Sequence, residues 1–367
     1  MVWQRALKER IKVHALELGF DAVGVAPAQA GEHLPFYLDW LAAGYHGQQS
    51  YLARPDRLAR RRNLNLILPG VQSLVVVGLH YWPGPSPATP AAHGRIACYA
   101  QGPDYHHVML PMLEALLAFV KAETGQLVGG RTYVDTGPLL ERDHALRAGL
   151  GFIGKNCNLI APRRGSWLFL GELLLTIPLE PDRLAGAGRM PFCGTCTRCQ
   201  TACPTGALVQ PYTLDSRRCI SYLTIALKGA IPRQLRPLIG NHIFGCDVCQ
   251  EVCPWNRFAT AKPPPHKQGG AEVEGAPSLL ELMGLSEGQF QAQYGHTPIG
   301  HIKRERFLRN VAVALGNWGA PEAVPVLERA LAEPSPLIRT HAAWALGQIG
   351  TGRARTALQK APCSSAK

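Results

Sequence analysis

The order of apolar and polar residues changes character along this chain, and each change marks an element. Near the start, Trp3, Leu7, Ile11 and Ala15 fall on one helical stripe with charged residues between them, the pattern of an amphipathic helix docked on a core. DAVGVAP (21–27) and VQSLVVVGLHYW (71–82) are Val-rich runs bounded by Gly and Pro, as buried strands are. VMLPMLEALLAFVKAETG (108–125) predicts a helix with Leu113, Leu117 and Val120 inward and Gly125 as its stop. The Pro-rich stretch at 83–94 reads as a surface excursion. Together these elements predict a mixed α/β (α+β) N-terminal domain over residues 1–185.

Towards the other end the pattern repeats. NVAVALGNWGAPEAVPVLERAL (310–331) and HAAWALGQIGTGRARTALQKA (341–361) align at an offset of 31 residues, pairing Leu315 with Leu346, Gly316 with Gly347 and Leu327 with Leu358. Such Ala- and Leu-rich helical pairs predict α-helical HEAT-like repeats over 278–367. Two units are too few to stand alone, so they should pack on the rest of the chain. Residues 261–277, rich in Pro and Gly, read as a linker.

Composition adds two constraints. Of 367 residues 46% are hydrophobic, yet no run reaches the ~18 apolar residues of a membrane span, and the first helix has neither the apolar core of a secretory signal nor a twin-arginine leader. A cytoplasmic protein is expected. The net charge of +12 points to a polyanionic partner.

The cysteines carry the first chemistry. Eight of eleven lie between Cys193 and Cys253, and a reducing compartment argues against disulfides. FCGTCTRCQTACPTGAL (192–208) has the spacing C-x2-C-x2-C-x3-C-P, and CDVCQEVCPW (246–255) is a second motif ending in Cys-Pro. Soft thiolates at this spacing bind [4Fe–4S] clusters, and in two-cluster ferredoxins the Cys before Pro crosses to the other cluster. One cluster then takes Cys193, Cys196, Cys199 and Cys253. The other takes Cys203, Cys246 and Cys249, with Cys219 assigned by subtraction. Structural zinc is the competing reading, but it requires no such run. Residues 186–260 are therefore predicted to be a ferredoxin-like two-cluster domain.

A second motif misleads. AGLGFIGKN contains Gly149, Gly151 and Gly154 in G-x-G-x-x-G order, but a dinucleotide fingerprint follows a strand, and the segment before it, LLERDHALRA, reads as a helix. NAD(P) is not expected. Upstream, Asp135 lies in a turn with Gly137 and Pro138 and, on spacing alone, reads as a helix N-cap.

The order VDTGP, AGLGFIGKN, GSWLFLGE, then two cluster motifs with CISYLT between them and CPWN at the end, resembles the epoxyqueuosine reductase family. The likeness extends to YAQGPDYHHVM upstream and RNVAVALGNWG downstream, and so spans nearly the whole chain. It implies an N-terminal cobalamin-binding domain, cobalamin and two [4Fe–4S] clusters as cofactors, and reduction of epoxyqueuosine to queuosine at the tRNA wobble position. Opening an epoxide develops negative charge on oxygen, whose loss as water needs a proton donor. The resemblance puts Asp135 in that role, with a pKa expected to rise above roughly 3.9 through burial in a closed apolar pocket. Glu141 and Arg142 are secondary candidates. Tyr105, His106, Asn156, Cys157, Ser221 and Tyr222 are implied to line the cofactor. Arg61 is the candidate for the corrin periphery from a run that also holds Arg57, Arg60 and Arg62. The chain has no D-x-H-x-x-G, so histidine ligation of cobalt is not indicated.

Basic residues cluster at 54–62 and 301–310. Lys303, Arg304, Arg306 and Arg309 are the candidate tRNA contacts, on a face expected to be salt-sensitive, with the modified base of a queuosine-type anticodon loop splayed into the pocket. Flavodoxin or ferredoxin is the expected electron donor, and a monomer the expected state. The competing reading from the same chemistry is a reductive dehalogenase-like enzyme acting on a small molecule. From another class, an electron carrier with a nucleic-acid-binding tail would leave the large N-terminal domain without a purpose.

Overall fold

The computed structural model describes residues 2–85, 88–125, 128–182, 192–262 and 273–361. The predicted boundary at 185/186, most of the 261–277 linker, part of the 83–94 loop and Cys363 lie outside the described residues. Among those described, no helix is long and apolar enough to cross a membrane.

Four antiparallel strands organise the N-terminal part: β1 (Ala22–Pro27), β2 (Ser73–His80), β3 (Gly130–Tyr133) and β4 (Leu168–Leu175), in spatial order β1-β2-β4-β3. Val75 pairs with Val25 on one side and Leu173 on the other. Side chains alternate across a sheet, and here both faces are covered, which is why β2 is buried throughout and shows no polar alternation. Val75, Val77 and Leu79 meet α1 (Val2–Glu17) and α3 (Tyr105–Thr124). Leu74 and Val76 face the other way, towards Ala145, Ala148 and Leu150 at and beyond α4 (Glu141–Arg147). Helix α2 (Pro55–Arg62) lies before β2 in the chain.

The predicted first helix forms, with Leu7, Ile11 and Ala15 fully buried; each large side chain contributes about 1.5–3 kcal/mol. Trp3 departs from the expected stripe and is 46% exposed. It sits in the first turn of the helix.

The C-terminal segment is helical, α5 (Lys303–Trp318), α6 (Val324–Ala330), α7 (Pro336–Ile349) and α8 (Gly352–Lys360), sharing a core built on Phe307, Leu308, Leu315, Leu327 and Leu346. That core also takes in Ile243 and Phe244 from between the cysteine motifs. The repeats therefore pack on the rest of the chain.

The manner of that packing corrects one expectation. Just after Cys219 the backbone makes a π-turn, Tyr222–Ala226, closed by Leu227 N–H donating to the Tyr222 carbonyl at 2.9 Å. The wide turn leaves carbonyls without partners inside the protein, and α5 supplies the donors. Arg309 donates to the carbonyls of Leu223 (2.8 Å), Leu227 (2.7 Å) and Gly229 (2.7 Å). Asn310 donates to those of Thr224 and Ile243, and Arg306 to that of Ile225, each at 2.8 Å. Arg309 is fully buried, so it cannot meet tRNA. Burial lowers its pKa only to about 9, leaving it charged at neutral pH. Arg304 is likewise committed, to Glu333 at 2.5 Å and to the Leu285 carbonyl. Lys303 is exposed.

Replacing Arg309 with Leu strands the buried carbonyls of Leu223 and Leu227. We expect a loss of about 3 kcal/mol or more, read as a lower denaturation midpoint, together with a reduced iron content per chain because the Cys219 segment loosens. Unchanged stability and iron content would refute this account of the clasp.

Candidate active site

Strand β3 ends at Tyr133, and two residues later Asp135 stands at φ +56°, a backbone state uncommon outside glycine. Helix α4 begins only at Glu141, with Leu140 at its cap position, so Asp135 is not an N-cap. Its backbone N–H donates to Glu141 Oε1 at 2.7 Å, and its Oδ2 accepts from the Tyr105 hydroxyl at 2.8 Å. The carboxylate is thus gripped from the start of α3, while the backbone behind it is gripped from the start of α4.

The expected enclosure of Asp135 is not found, and the residue is exposed. It lies in a turn beyond a short edge strand, where the sheet no longer covers it. The carboxyl that the chain does enclose is that of Glu141, whose pKa is raised well above the ordinary value, first by burial, then by the charges of Asp135 and Glu172. Glu172, from the interior of β4, is itself fully buried and pairs with His144 at 2.6 Å. Neither His144 nor Glu172 carries a local signal in the sequence, since a Glu within a Leu-rich strand is explained only by its partner 28 positions away.

Tyr105 stacks between His106 (ring centroids 4.2 Å apart) and Phe169 (4.3 Å). Asp104, buried, caps α3 and bridges His106 Nδ1 at 2.7 Å and His301 Nε2 at 2.6 Å. Burial is the largest influence on His106 and opposes its charge, but the hydrogen bond to Asp104 together with the charges of Asp104 and Asp135 outweighs it, and the pKa is raised. This bridge ties the Tyr105 helix to the C-terminal segment across 197 positions, a separation at which reading the sequence offers no cue.

Arg61 is the buried member of its basic run, 4% exposed. Its guanidinium lies over the Tyr37 ring, 4.9 Å from the centroid, and within the field of Glu141. Its Nε and Nη1 are buried without a hydrogen-bond partner. Asn156 donates to the Cys249 carbonyl at 3.3 Å. Cys157 stands at φ +65° with its carbonyl held by Arg142; burial pushes its thiol up to about 11, and Cys199 and Cys219 are among its charged neighbours. Ser221 is half-buried. Tyr222 turns its hydroxyl to accept from Gln48 N–H at 2.8 Å, against Gly47, where a Cβ would come within 2.5 Å of that oxygen.

The eight motif cysteines gather as two fours. Cys193, Cys196, Cys199 and Cys253 line one cavity together with Lys155, Asn156 and Trp255. Cys246 has Cys219 and Cys203 as electrostatic neighbours, and Cys249 has Cys246 and Cys219. None forms a disulfide. Backbone N–H groups already point at the sulfurs, Lys155 to Cys193 at 3.4 Å and Ala207 to Cys203 at 3.3 Å, as iron-bound thiolates require. The second four is the deeper, and burial pushes Cys246 up to about 12; iron must displace those protons on binding.

Comparison with known proteins agrees with this arrangement. A family profile for a 4Fe–4S double cluster binding domain matches residues 192–256, one for epoxyqueuosine reductase QueG matches 61–136, and one for HEAT repeats matches 304–361. The epoxyqueuosine reductase of Pseudomonas aeruginosa is 43% identical over 357 residues, covering 94% of this chain and 95% of that protein. That of Escherichia coli is 40% identical, covering 93% and 89%. An epoxyqueuosine reductase solved with an epoxyqueuosine-modified tRNA-Tyr stem loop superposes with a TM-score of 0.86 at 34% identity, over 97% of this chain and 94% of that one. The Bacillus subtilis enzyme, in a structure with its catalytic aspartate loop swung out of the active site, gives 0.84 at 32% identity, over 98% and 95%. With such likeness along nearly its whole length, and with the double-cluster and repeat segments in the same order, the chain belongs to the epoxyqueuosine reductase family.

Proposed function

We propose that this chain reduces the epoxide of epoxyqueuosine to the alkene of queuosine in a tRNA anticodon loop, with Asp135 as the proton donor. The observation that carries this reading is the Asp135 carboxyl, held by Tyr105, with its backbone amide held by Glu141 at the head of the helix whose Arg142 holds the Cys157 carbonyl. Epoxide, two electrons and two protons give alkene and water. Two [4Fe–4S] clusters supply single electrons, and cobalamin supplies the cobalt reductant that they feed. The buried, unpartnered donors of Arg61 suit a ligand fringed with amide carbonyls, as corrin is. Tyr105, His106, Asn156, Cys157, Ser221 and Tyr222 are the further residues proposed to line it.

The chain's own part is to hold and move a proton. Tyr105 donates to Oδ2 and leaves Oδ1 to carry the proton to the departing oxygen. Asp135 stands exposed and open to substrate. Glu141, whose pKa is raised by burial and by the charges of Asp135 and Glu172, accepts from the Asp135 amide. Lys303 is the solvent-facing member of the 303–309 group and is proposed to meet phosphate. Because tRNA is the substrate we place the enzyme in the cytoplasm, and because one chain carries every site residue we propose a monomer, served by flavodoxin or ferredoxin.

The test is an anaerobic reaction of protein loaded with both clusters and cobalamin, given a strong reductant and tRNA bearing epoxyqueuosine, with the digested nucleosides weighed. Cobalamin-dependent loss of one oxygen is expected, and an unchanged mass would overturn the reading. In the same assay Asp135→Asn should retain its cofactors yet turn over about 100-fold more slowly or worse; normal turnover removes Asp135 from the mechanism.

Glu141 separates positioning from packing. Glu141→Gln keeps the acceptor for the Asp135 amide and should remain active within a few-fold, whereas Glu141→Ala should lose about 10- to 100-fold. A raised folded pKa means that the stability contributed by the neutral carboxyl is complete below the ordinary glutamate range. It is lost as pH rises through the raised value. Glu141→Gln should therefore flatten the alkaline fall in stability, and an identical pH–stability curve would contradict the assignment.

A further inference from the structure

Of the first cluster's four cysteines, Cys193, Cys196 and Cys253 are half-buried and Cys199 is buried, with Gly194, Thr195, Thr197 and Arg198 exposed around them. The second four lie deeper and adjoin the proposed active site, because Cys219 precedes Ser221 and Tyr222 by only two and three positions. Electrons must then enter at the outer cluster, and the surface above it decides what can deliver them.

That surface is strongly one-sided in charge. Three described segments meet at the outer four cysteines, and all lack Asp and Glu: residues 144–171, 192–214 and 252–262 contain none, while carrying Lys155, Arg163, Arg164, Arg198 and Arg257 among their basic residues. Lys155 Nζ sits on the cysteine loop itself, donating to the carbonyls of Gly194 at 2.7 Å and Cys196 at 2.9 Å. Arg198 and Arg257 line one wall together with Cys253 and Pro254. Among the described residues neither has a carboxylate partner. Arg163 and Arg164 are exposed on a tight turn whose Gly165 packs against Asn256. The nearby carboxylate of Glu251 is occupied by Arg95 at 2.6 Å. Exposed aromatic rings lie among these charges, Tyr212 at 51% and Phe258 at 45%, the latter beneath the Arg257 guanidinium at 4.5 Å.

We propose that this face is the docking surface for an acidic one-electron carrier protein of the flavodoxin or ferredoxin kind, which hands electrons singly to the cluster at Cys193, Cys196, Cys199 and Cys253. This rests on the functional reading above, in that the outer cluster is taken to be the entry point. In each transfer the carrier is oxidised by one electron and the cluster reduced by one, with no bond made and no proton moved. Charge complementarity steers the encounter and sets its rate more than its lifetime. A small patch suffices, because redox encounters are weak and bury little area. An acidic protein is favoured over RNA because these charges centre on the outer cluster and not on the Asp135 side of the molecule.

The experiment uses the cluster-loaded full chain and a bacterial flavodoxin in its hydroquinone state. Flavodoxin oxidation is followed by stopped flow, and affinity is measured by titration with oxidised flavodoxin. For Arg198→Glu/Arg257→Glu the second-order rate at low salt should fall about tenfold or more, its salt dependence should weaken, and affinity should fall in parallel. Reduction of the same clusters by dithionite should be unchanged. Should that variant load its clusters poorly, Arg163→Glu/Arg164→Glu, on a turn outside the cysteine loops, makes the same test. Wild-type rate and affinity in the charge-reversed proteins would overturn the proposal. So would a loss confined to binding of a tRNA stem loop, which would make the face an RNA surface. Because cluster reduction and binding are read without turnover on tRNA, failure of the epoxide chemistry would leave this result intact.

Discussion

Everything around the inner cluster depends on how one over-wide turn of backbone is satisfied. The π-turn at Tyr222–Ala226 follows Cys219 directly, and its carbonyls point into the protein, where water cannot reach them. A buried carbonyl without a donor costs about 1–3 kcal/mol, and this segment offers several. Arg309, Asn310 and Arg306 meet them from a helix more than 80 positions later in the chain. The HEAT-like segment is therefore more than an appended RNA-binding module, because it completes the hydrogen bonding of the segment that presents a cluster ligand and two proposed cofactor contacts. The same interaction explains why the densest basic run near the C-terminus is largely unavailable to a polyanion.

A second constraint works on the catalytic side. The four-stranded sheet is apolar on both faces, yet Glu172 lies inside its β4 strand, where His144 balances it. Glu141 then lies within the field of buried Glu172 and exposed Asp135, and burial with those two charges opposes its ionisation. The geometry resolves this by enclosing Glu141 and leaving Asp135 at the open edge. The residue proposed to donate a proton is accessible to substrate, while the carboxyl behind it is the one whose pKa burial raises. Asp104 does comparable work at the other end of Tyr105, where its two oxygens join helix α3 to the C-terminal segment through His106 and His301.

Much of this protein is legible from residue order, for identifiable reasons. Iron–sulfur ligation is encoded locally, because cysteines two and three residues apart can converge on one cluster, and counting thiolates then assigns Cys219. Strand β2 and helix α3 announce themselves because their apolar periods follow directly from backbone geometry. The repeat is visible because each unit must bury the same face. By contrast, Trp3 continues the helical period of α1 but not its burial, since what covers a given turn is no property of the helix.

The sequence by itself determined the elements, the double-cluster domain and the family, because those reside in short spacings and in the order of motifs. Only the tertiary structure decided what each charged side chain does. Whether an arginine is a phosphate contact, as Lys303 remains free to be, or an internal clasp like Arg309, depends on which carbonyls lie opposite it. Whether Asp135 or Glu141 is the enclosed carboxyl depends on where an edge strand stops. Charge is written in the sequence, but its energy depends on burial and partners, and those are set by residues tens to hundreds of positions away.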